Sequence, residues 1–281
     1  MNSEVRTWEA EVQRGERFAF GANWTSFLQL LNEDRIRAAE DSLKDMLEME
    51  RLDGKRFLDV GSGSGLFSLA ARRLGAEVLS FDFDPQSVAC TAELKRRYFP
   101  DDPRWQVEQA SVLDTDFVNG LGTFDVVYSW GVLHHTGAMW SALDNVTPLV
   151  APKGRLFIAI YNDQGPASQM WTRVKRAYVR APGPLKPVIV GLSVIPLWVP
   201  AIMRKLMSGR TLASARLVRK SQRRGMGLWH NLKDWVGGYP FEVAKPEEIL
   251  DFYRSRGFEL QRMTTCGGRI GCNEYVLVRQ H

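Results

Sequence analysis

Three glycines, two acids and a pair of histidines are the residues whose types and spacing could do chemistry. The run LDVGSGSG, Leu58 to Gly65, delivers a strand-like segment to Gly61, Gly63 and Gly65 and leaves as a helix-like one. Glycine at such a turn tolerates positive φ and lets a ligand approach the backbone. The spacing is G-x-G-x-G, because position 66 is Leu66, and so differs from the dinucleotide pattern G-x-G-x-x-G. No G-K-[ST] follows, which excludes a P-loop. Asp82 lies twenty-one residues after Gly61, at the end of the next strand-like segment. A carboxylate there can accept both hydroxyls of a ribose. Ser111 and Val112, after the third strand, are placed to meet an adenine ring.

Asp59 stands just before the glycine loop, where a carboxylate disfavours a phosphate and tolerates a cation. A ligand with adenosine, no phosphate and a positive charge is S-adenosylmethionine, whose demethylated product is S-adenosylhomocysteine. Methyl transfer from a sulfonium is an in-line displacement that needs alignment and exclusion of water. A hydroxyl nucleophile usually needs a base as well. His134 and His135 follow the fourth strand, and Tyr161-Asn162 ends the fifth. His135 is the first candidate base; the alternative is that it orders its loop through a hydrogen bond. His230 is another candidate, with Asp234 four residues on; on a helix the two would share a face. No spacing suggests a metal site.

The elements that must position these groups alternate. Residues 33–50 read as a helix, and Arg56–Gly61 as a strand. Ser64–Leu74 reads as a helix, Glu77–Phe81 as a strand, and Asp84 with Pro85 as the cap and first residue of the next helix. Further strands are expected over Trp105–Ala110, Phe124–Ser129 and Arg155–Tyr161, with a helix over Ala138–Leu149. A helix over Lys245–Arg256 precedes two strands, Phe258–Thr265 and Asn273–Arg279, joined as a hairpin. The expected fold is α/β: a doubly wound, seven-stranded, mostly parallel sheet with a C-terminal antiparallel hairpin and a helical lid insertion. The divisions are a helical cap over 1–55, a core over 56–161 and 245–281, and an insertion over 162–244.

At these residues the sequence resembles the class I S-adenosylmethionine-dependent methyltransferases. The matching segments are LDVGSGSG, SFDFDP (Ser80 to Pro85), QASVLD (Gln109 to Asp114), FDVVYSWGVLHH (Phe124 to His135) and KGRLFIAIY (Lys153 to Tyr161). The resemblance implies that Gly61, Ser62 and Gly63 face the methionine and ribose, with Asp82 on the ribose hydroxyls. It implies that Phe83 packs on the adenine, that Ser111 and Val112 meet its edge, and that Trp130 lies near the sulfonium. Asp59 would shape the loop from behind. Phe20 or Trp24, in an N-terminal helix, would either cap the cofactor or pack that helix on the core. The ubiquinone-biosynthesis O-methyltransferase type is the nearest group. His135 matches that group's His, while His134 stands where it has Glu, which argues against a carboxylate-assisted metal.

The chain of 281 residues is 44% hydrophobic and 25% charged, which excludes disorder and fibrous classes. Three cysteines form no framework, and the charged N-terminus has no apolar signal segment, so a cytoplasmic setting is expected. The net charge of +5 hides an asymmetry. Residues 163–230 hold 13 Lys and Arg against one acid, Asp163; the rest holds 24 basic against 31 acidic side chains. Within that basic stretch, 187–203 is an uncharged apolar run, too short and proline-broken to span a bilayer. It fits a lid packed on the body, a homodimer face, or peripheral contact of 163–230 with anionic membrane. No nucleic-acid motif is present, and nucleic acid is not an expected partner. The expected activity is methylation of a small or lipophilic, lipid-like acceptor, first on oxygen. Methylation of a thiol or amine, and cofactor binding without chemistry, are the alternatives.

Overall fold

The computed structural model describes residues 7–193 and 235–281. One sheet runs β3-β2-β1-β4-β5-β7-β6. Its strands are β1 (Arg56–Val60), β2 (Glu77–Asp82), β3 (Trp105–Gln109), β4 (Phe124–Trp130), β5 (Val150–Tyr161), β6 (Phe258–Thr264) and β7 (Cys272–Arg279). The first five pair in parallel, and β7 enters antiparallel between β5 and β6. Parallel strands covered on both faces must be apolar on both faces. Phe57, Leu58 and Val60 of β1 are accordingly all buried, with Phe57 in one core cluster and Leu58 and Val60 in the other. The carboxyl ends of β1, β2, β4 and β5 gather along one edge, where the candidate residues lie.

The helices are α1 (Trp8–Gln13), α2 (Gly21–Gln29), α3 (Glu33–Leu47), α4 (Leu66–Arg73), α5 (Pro85–Tyr98), α6 (Thr115–Gly120), α7 (Met139–Val146), α8 (Pro166–Arg180) and α9 (Pro246–Arg254). Three elements differ from expectation for local reasons. α6 is only six residues long and lacks a full apolar period; Asp114 starts it by accepting from the Asp116 and Phe117 N–H groups. A 3-10 turn over Leu133–His135 places both histidines in one short coil. β5 begins at Val150 rather than Arg155, because Val150 pairs with Phe124 before the register shifts.

Asp84 has a double role. One oxygen accepts from Gln86 N at 2.9 Å, capping α5; the other accepts from Gly21 N at 2.8 Å, which pins the start of α2. A Cβ on Gly21 would lie 2.3 Å from Gln86 Cβ, so only glycine lets α2 sit this close. The N-terminal cap is thus tied to the same turn that follows β2.

Of the insertion, α8 and a helical stretch over 186–193 are described. α8 buries Ser168, Trp171, Lys175 and Tyr178, a stripe at helical spacing that includes a cation. His230, Asp234, most of the basic segment and the latter half of the apolar run lie outside the described residues. Among the described residues no helix is long and apolar enough to cross a membrane.

Replacing Asp84 by Ala removes a helix cap and a buried acceptor together. We expect a loss of about 1–2 kcal/mol in denaturant unfolding. Amide exchange should accelerate in 21–29 while the β1 and β4 amides stay protected.

Candidate functional site at the carboxyl edge of the sheet

The glycine loop and the end of β2 are joined through one carboxylate. Asp82 accepts from Gly63 N and from Asp84 N, both at 2.9 Å. Burial pushes its carboxyl up to about 6. Gly61 has φ of +78°, and a Cβ there would lie 2.3 Å from Val132 Cγ1, so this glycine admits the loop after β4. Gly63, at φ +57°, faces Trp24: a Cβ there would lie 3.1 Å from the indole. Trp24 therefore covers the glycine loop from α2 and also packs against the core cluster beside α3 and α4. The Ser62 hydroxyl bonds Thr91 at 2.9 Å and is buried, which places its side chain behind the loop.

Asp59 faces inward. A buried chain of hydrogen bonds runs from Trp105 Nε1 to Ser80 Oγ, from Ser80 to Ser68, and from Ser68 to the Asp59 carboxylate. The direction follows from chemistry, since an indole N–H only donates. Burial raises the Asp59 carboxyl to about 7. The residue thus supports the loop from below. Val112 is likewise inward: it is buried in the core and its carbonyl accepts from Asn145 Nδ2 at 2.9 Å. Ser111 is half-buried, with its hydroxyl accepting from Leu113 N at 3.1 Å.

Phe83 and the loop after β4 are linked by a residue that sequence reasoning missed. Arg17 lies 5.1 Å from the Phe83 ring centroid and donates to the carbonyls of His135 at 2.9 Å and Thr136 at 3.3 Å. Its charge is paired with Glu11, and both side chains are largely buried. No spacing signal marks Arg17, because the carbonyls it reaches lie 118 and 119 residues along the chain. Trp130, half-buried at the end of β4, donates its indole N–H to Glu274 at 3.2 Å.

The two histidines are buried and neutral, and each is held by a different backbone group. His135 Nδ1 lies 2.6 Å from the Pro240 carbonyl; a carbonyl only accepts, so Nδ1 carries the proton and Nε2 the lone pair. Burial, with the charge of Lys175, lowers His135 to about 3. His134 Nδ1 lies 3.3 Å from Tyr161 N, and the ring also hydrogen-bonds the Ala159 backbone. Burial, then the charges of His135 and Lys175, hold His134 well below the usual histidine range, with the Ala159 carbonyl opposing them. The His134 and Tyr161 ring centroids are 4.0 Å apart, and Phe20 lies 5.0 Å from His135.

Tyr161 leads into the insertion. Its ring is 5.1 Å from Phe241 and 5.3 Å from Trp235. Lys175 of α8, wholly buried, lies 4.3 Å from the Trp235 ring and 4.7 Å from Phe241, and donates to the Trp235 carbonyl. Sequence reasoning also missed Lys175. The signal that could have found it is its place four residues after Trp171 and three before Tyr178, in register with an apolar stripe. Phe18 N closes the same side by donating to the Tyr239 carbonyl at 2.8 Å. The edge therefore carries two halves: a glycine–Asp82–Phe83 half and an aromatic half around Tyr161. The open depression beside Thr115, Asn145 and Arg256 involves none of these groups.

The likeness to known proteins follows this division. A family described as "Methyltransferase domain" matches residues 58–156, which span the glycine loop to the middle of β5. The ubiquinone biosynthesis O-methyltransferase of Rhizobium etli is 26% identical over 128 residues, covering 46% of this chain and 50% of that protein. The tRNA U34 carboxymethyltransferase of Pseudomonas savastanoi is 38% identical over 85 residues, covering 30% of this chain and 25% of that protein. The chain spans about half the length of the ubiquinone-biosynthesis relatives it matches. In fold it is similar to magnesium protoporphyrin IX methyltransferase of Synechocystis PCC 6803, solved with bound SAH. The TM-score is 0.50 at 13% identity, covering 99% of this chain and 90% of that one. Residues 58–156 thus match a methyltransferase domain, set within the seven-stranded sheet of the α/β methyltransferase fold.

Proposed function

We propose that the chain transfers a methyl group from S-adenosylmethionine to a small or lipophilic acceptor, with oxygen as the first nucleophile. The observation that carries the reading is Asp82. Its oxygens accept from the backbone N–H groups of Gly63 and Asp84, with the Phe83 backbone also hydrogen-bonding it, and a carboxylate offers about four acceptor sites, so it can still meet a ribose hydroxyl. The residues around it fit the cofactor: Phe83 offers a half-buried ring beside Asp82, and Ser111 lies past the end of β3. Gly63 lacks the Cβ that would press on Trp24. When bound, the cofactor supplies an electrophilic methyl on a sulfonium. The chain contributes alignment and a dry edge, with Trp24, Phe20 and Arg17 closing it from the N-terminal side.

Oxygen as the nucleophile is supported by the ubiquinone-biosynthesis relative and by His135 Nε2, a lone pair with its ring locked on Pro240. A histidine held near 3 is a weak base. Its part is to accept a hydrogen bond from the acceptor and aim the nucleophile, rather than to hold a proton before attack. That same low basicity favours the second reading, methylation of a thiol or amine, which needs little help from a base. Cofactor binding without turnover would show as affinity with no S-adenosylhomocysteine formed.

Asp82→Ala should weaken S-adenosylmethionine binding about tenfold or more by calorimetry. Unchanged affinity would remove the ribose assignment. Protonation of a carboxyl held at about 6 withdraws an acceptor, so wild-type affinity should fall as pH drops through that value. The variant should lack this dependence. At saturating cofactor, His135→Ala should lower kcat without removing any inflection between about pH 6 and 7. His135 is already neutral there, its folded value of about 3 lying far below that range. An inflection near the ordinary histidine value of about 6.5 that vanishes in the variant would instead make it an ordinary histidine base.

A further inference from the structure

Residues 239–244 tie three parts of the molecule together through the backbone. The Tyr239 carbonyl accepts from Phe18 N at 2.8 Å, and the Pro240 carbonyl lies 2.6 Å from His135 Nδ1. Glu242 N donates to the His134 carbonyl and Ala244 N to the Tyr161 carbonyl, both at 3.0 Å. This strap therefore joins the N-terminal cap, the loop after β4 and the end of β5. Arg17 holds the His135 backbone, whereas the His135 ring nitrogen is held by the strap.

One side chain fixes the strap to the loop. Helix α7 opens at Ala138, whose side chain has no oxygen to cap it. The first N–H groups of the helix need an acceptor from elsewhere. The Glu242 carboxylate supplies it, accepting from Gly137 N at 3.0 Å and from Met139 N at 3.1 Å. Negative charge is favoured at that end of a helix. These hydrogen bonds oppose the burial that raises the Glu242 carboxyl. Gly137 has φ of +82°, and a Cβ there would lie 3.3 Å from Pro240 Cγ, so strap and loop pack closely two residues from His135.

We propose that Glu242 is a positioning residue for His135: by clamping the strap to the loop after β4, it keeps His135 Nδ1 on the Pro240 carbonyl and leaves Nε2 for the nucleophile. The part played by Nε2 rests on the methyltransferase reading above; the hold on the ring does not. Glu242 bonds Gly137 and Met139 rather than the imidazole, so it acts on His135 through the strap. The ring and its carbonyl partner lie 105 residues apart in the chain, and without the clamp their meeting depends on a free loop.

The test uses the full chain with isotope-labelled histidine, whose ring nitrogens report tautomer and charge by NMR. In the wild type His135 should stay in its neutral Nδ1–H form between about pH 5 and 8, since its value lies near 3. Glu242→Ala should release the ring: a second tautomer appears, and its titration moves toward the ordinary value of about 6.5. Glu242→Asp keeps the charge on a side chain one methylene shorter. It stands in if the alanine variant does not fold, and should show the same release in part. Val118→Ala, which truncates a buried core residue away from the strap, is the control for general loosening and should keep the wild-type form. Affinity for S-adenosylhomocysteine, by calorimetry, should stay within about threefold of wild type in the Glu242 variants. A fixed Nδ1–H tautomer in every folded Glu242 variant overturns the proposal, as does the same release in the control. No binding of S-adenosylhomocysteine to the wild type would sink the methyltransferase reading instead, and the spectra would still decide whether Glu242 holds the ring.

Discussion

The arrangement depends on the turn that follows β2. Two carboxylates two residues apart, Asp82 and Asp84, take their hydrogen bonds from three separate segments: the glycine loop, the start of α5 and the start of α2. Backbone N–H groups exposed at loop and helix ends need acceptors, and a carboxylate has more acceptor sites than a hydroxyl or an amide. The turn meets that need for all three segments at once. It also concentrates negative charge where a cationic ligand is expected. Burial raises Asp82, a cost of desolvation that a site with hydroxyls and a positive ligand can offset.

The aromatic half around Tyr161 is built on the opposite electrostatic logic. Lys175 is drawn into the aromatic cluster of Trp235, Phe241 and Tyr161, and its charge adds to burial in keeping both histidines neutral. A neutral imidazole has one donor and one acceptor nitrogen, and the backbone decides which is which. His135 Nδ1 donates to the Pro240 carbonyl; His134 Nδ1 accepts from the Tyr161 N–H.

The matched domain ends within β5, whereas the groups around Tyr161 come from α8, the 235–241 segment and the N-terminal cap.

The sequence by itself determined the alternation of strands and helices in the core, the glycine loop and the place of Asp82. These follow from local periodicity, glycine spacing and the position of an acid after a strand, all readable within about thirty residues. Only the tertiary structure decided the places of Arg17, Lys175 and Trp235, the second bond of Asp84, the inward direction of Asp59 and Val112, and the tautomer of His135. Each of these depends on a partner brought close by folding: Arg17 on carbonyls 118 and 119 residues away, Asp84 on Gly21, His135 on Pro240. Burial and hydrogen-bond direction are properties of that packing, and no spacing along the chain encodes them.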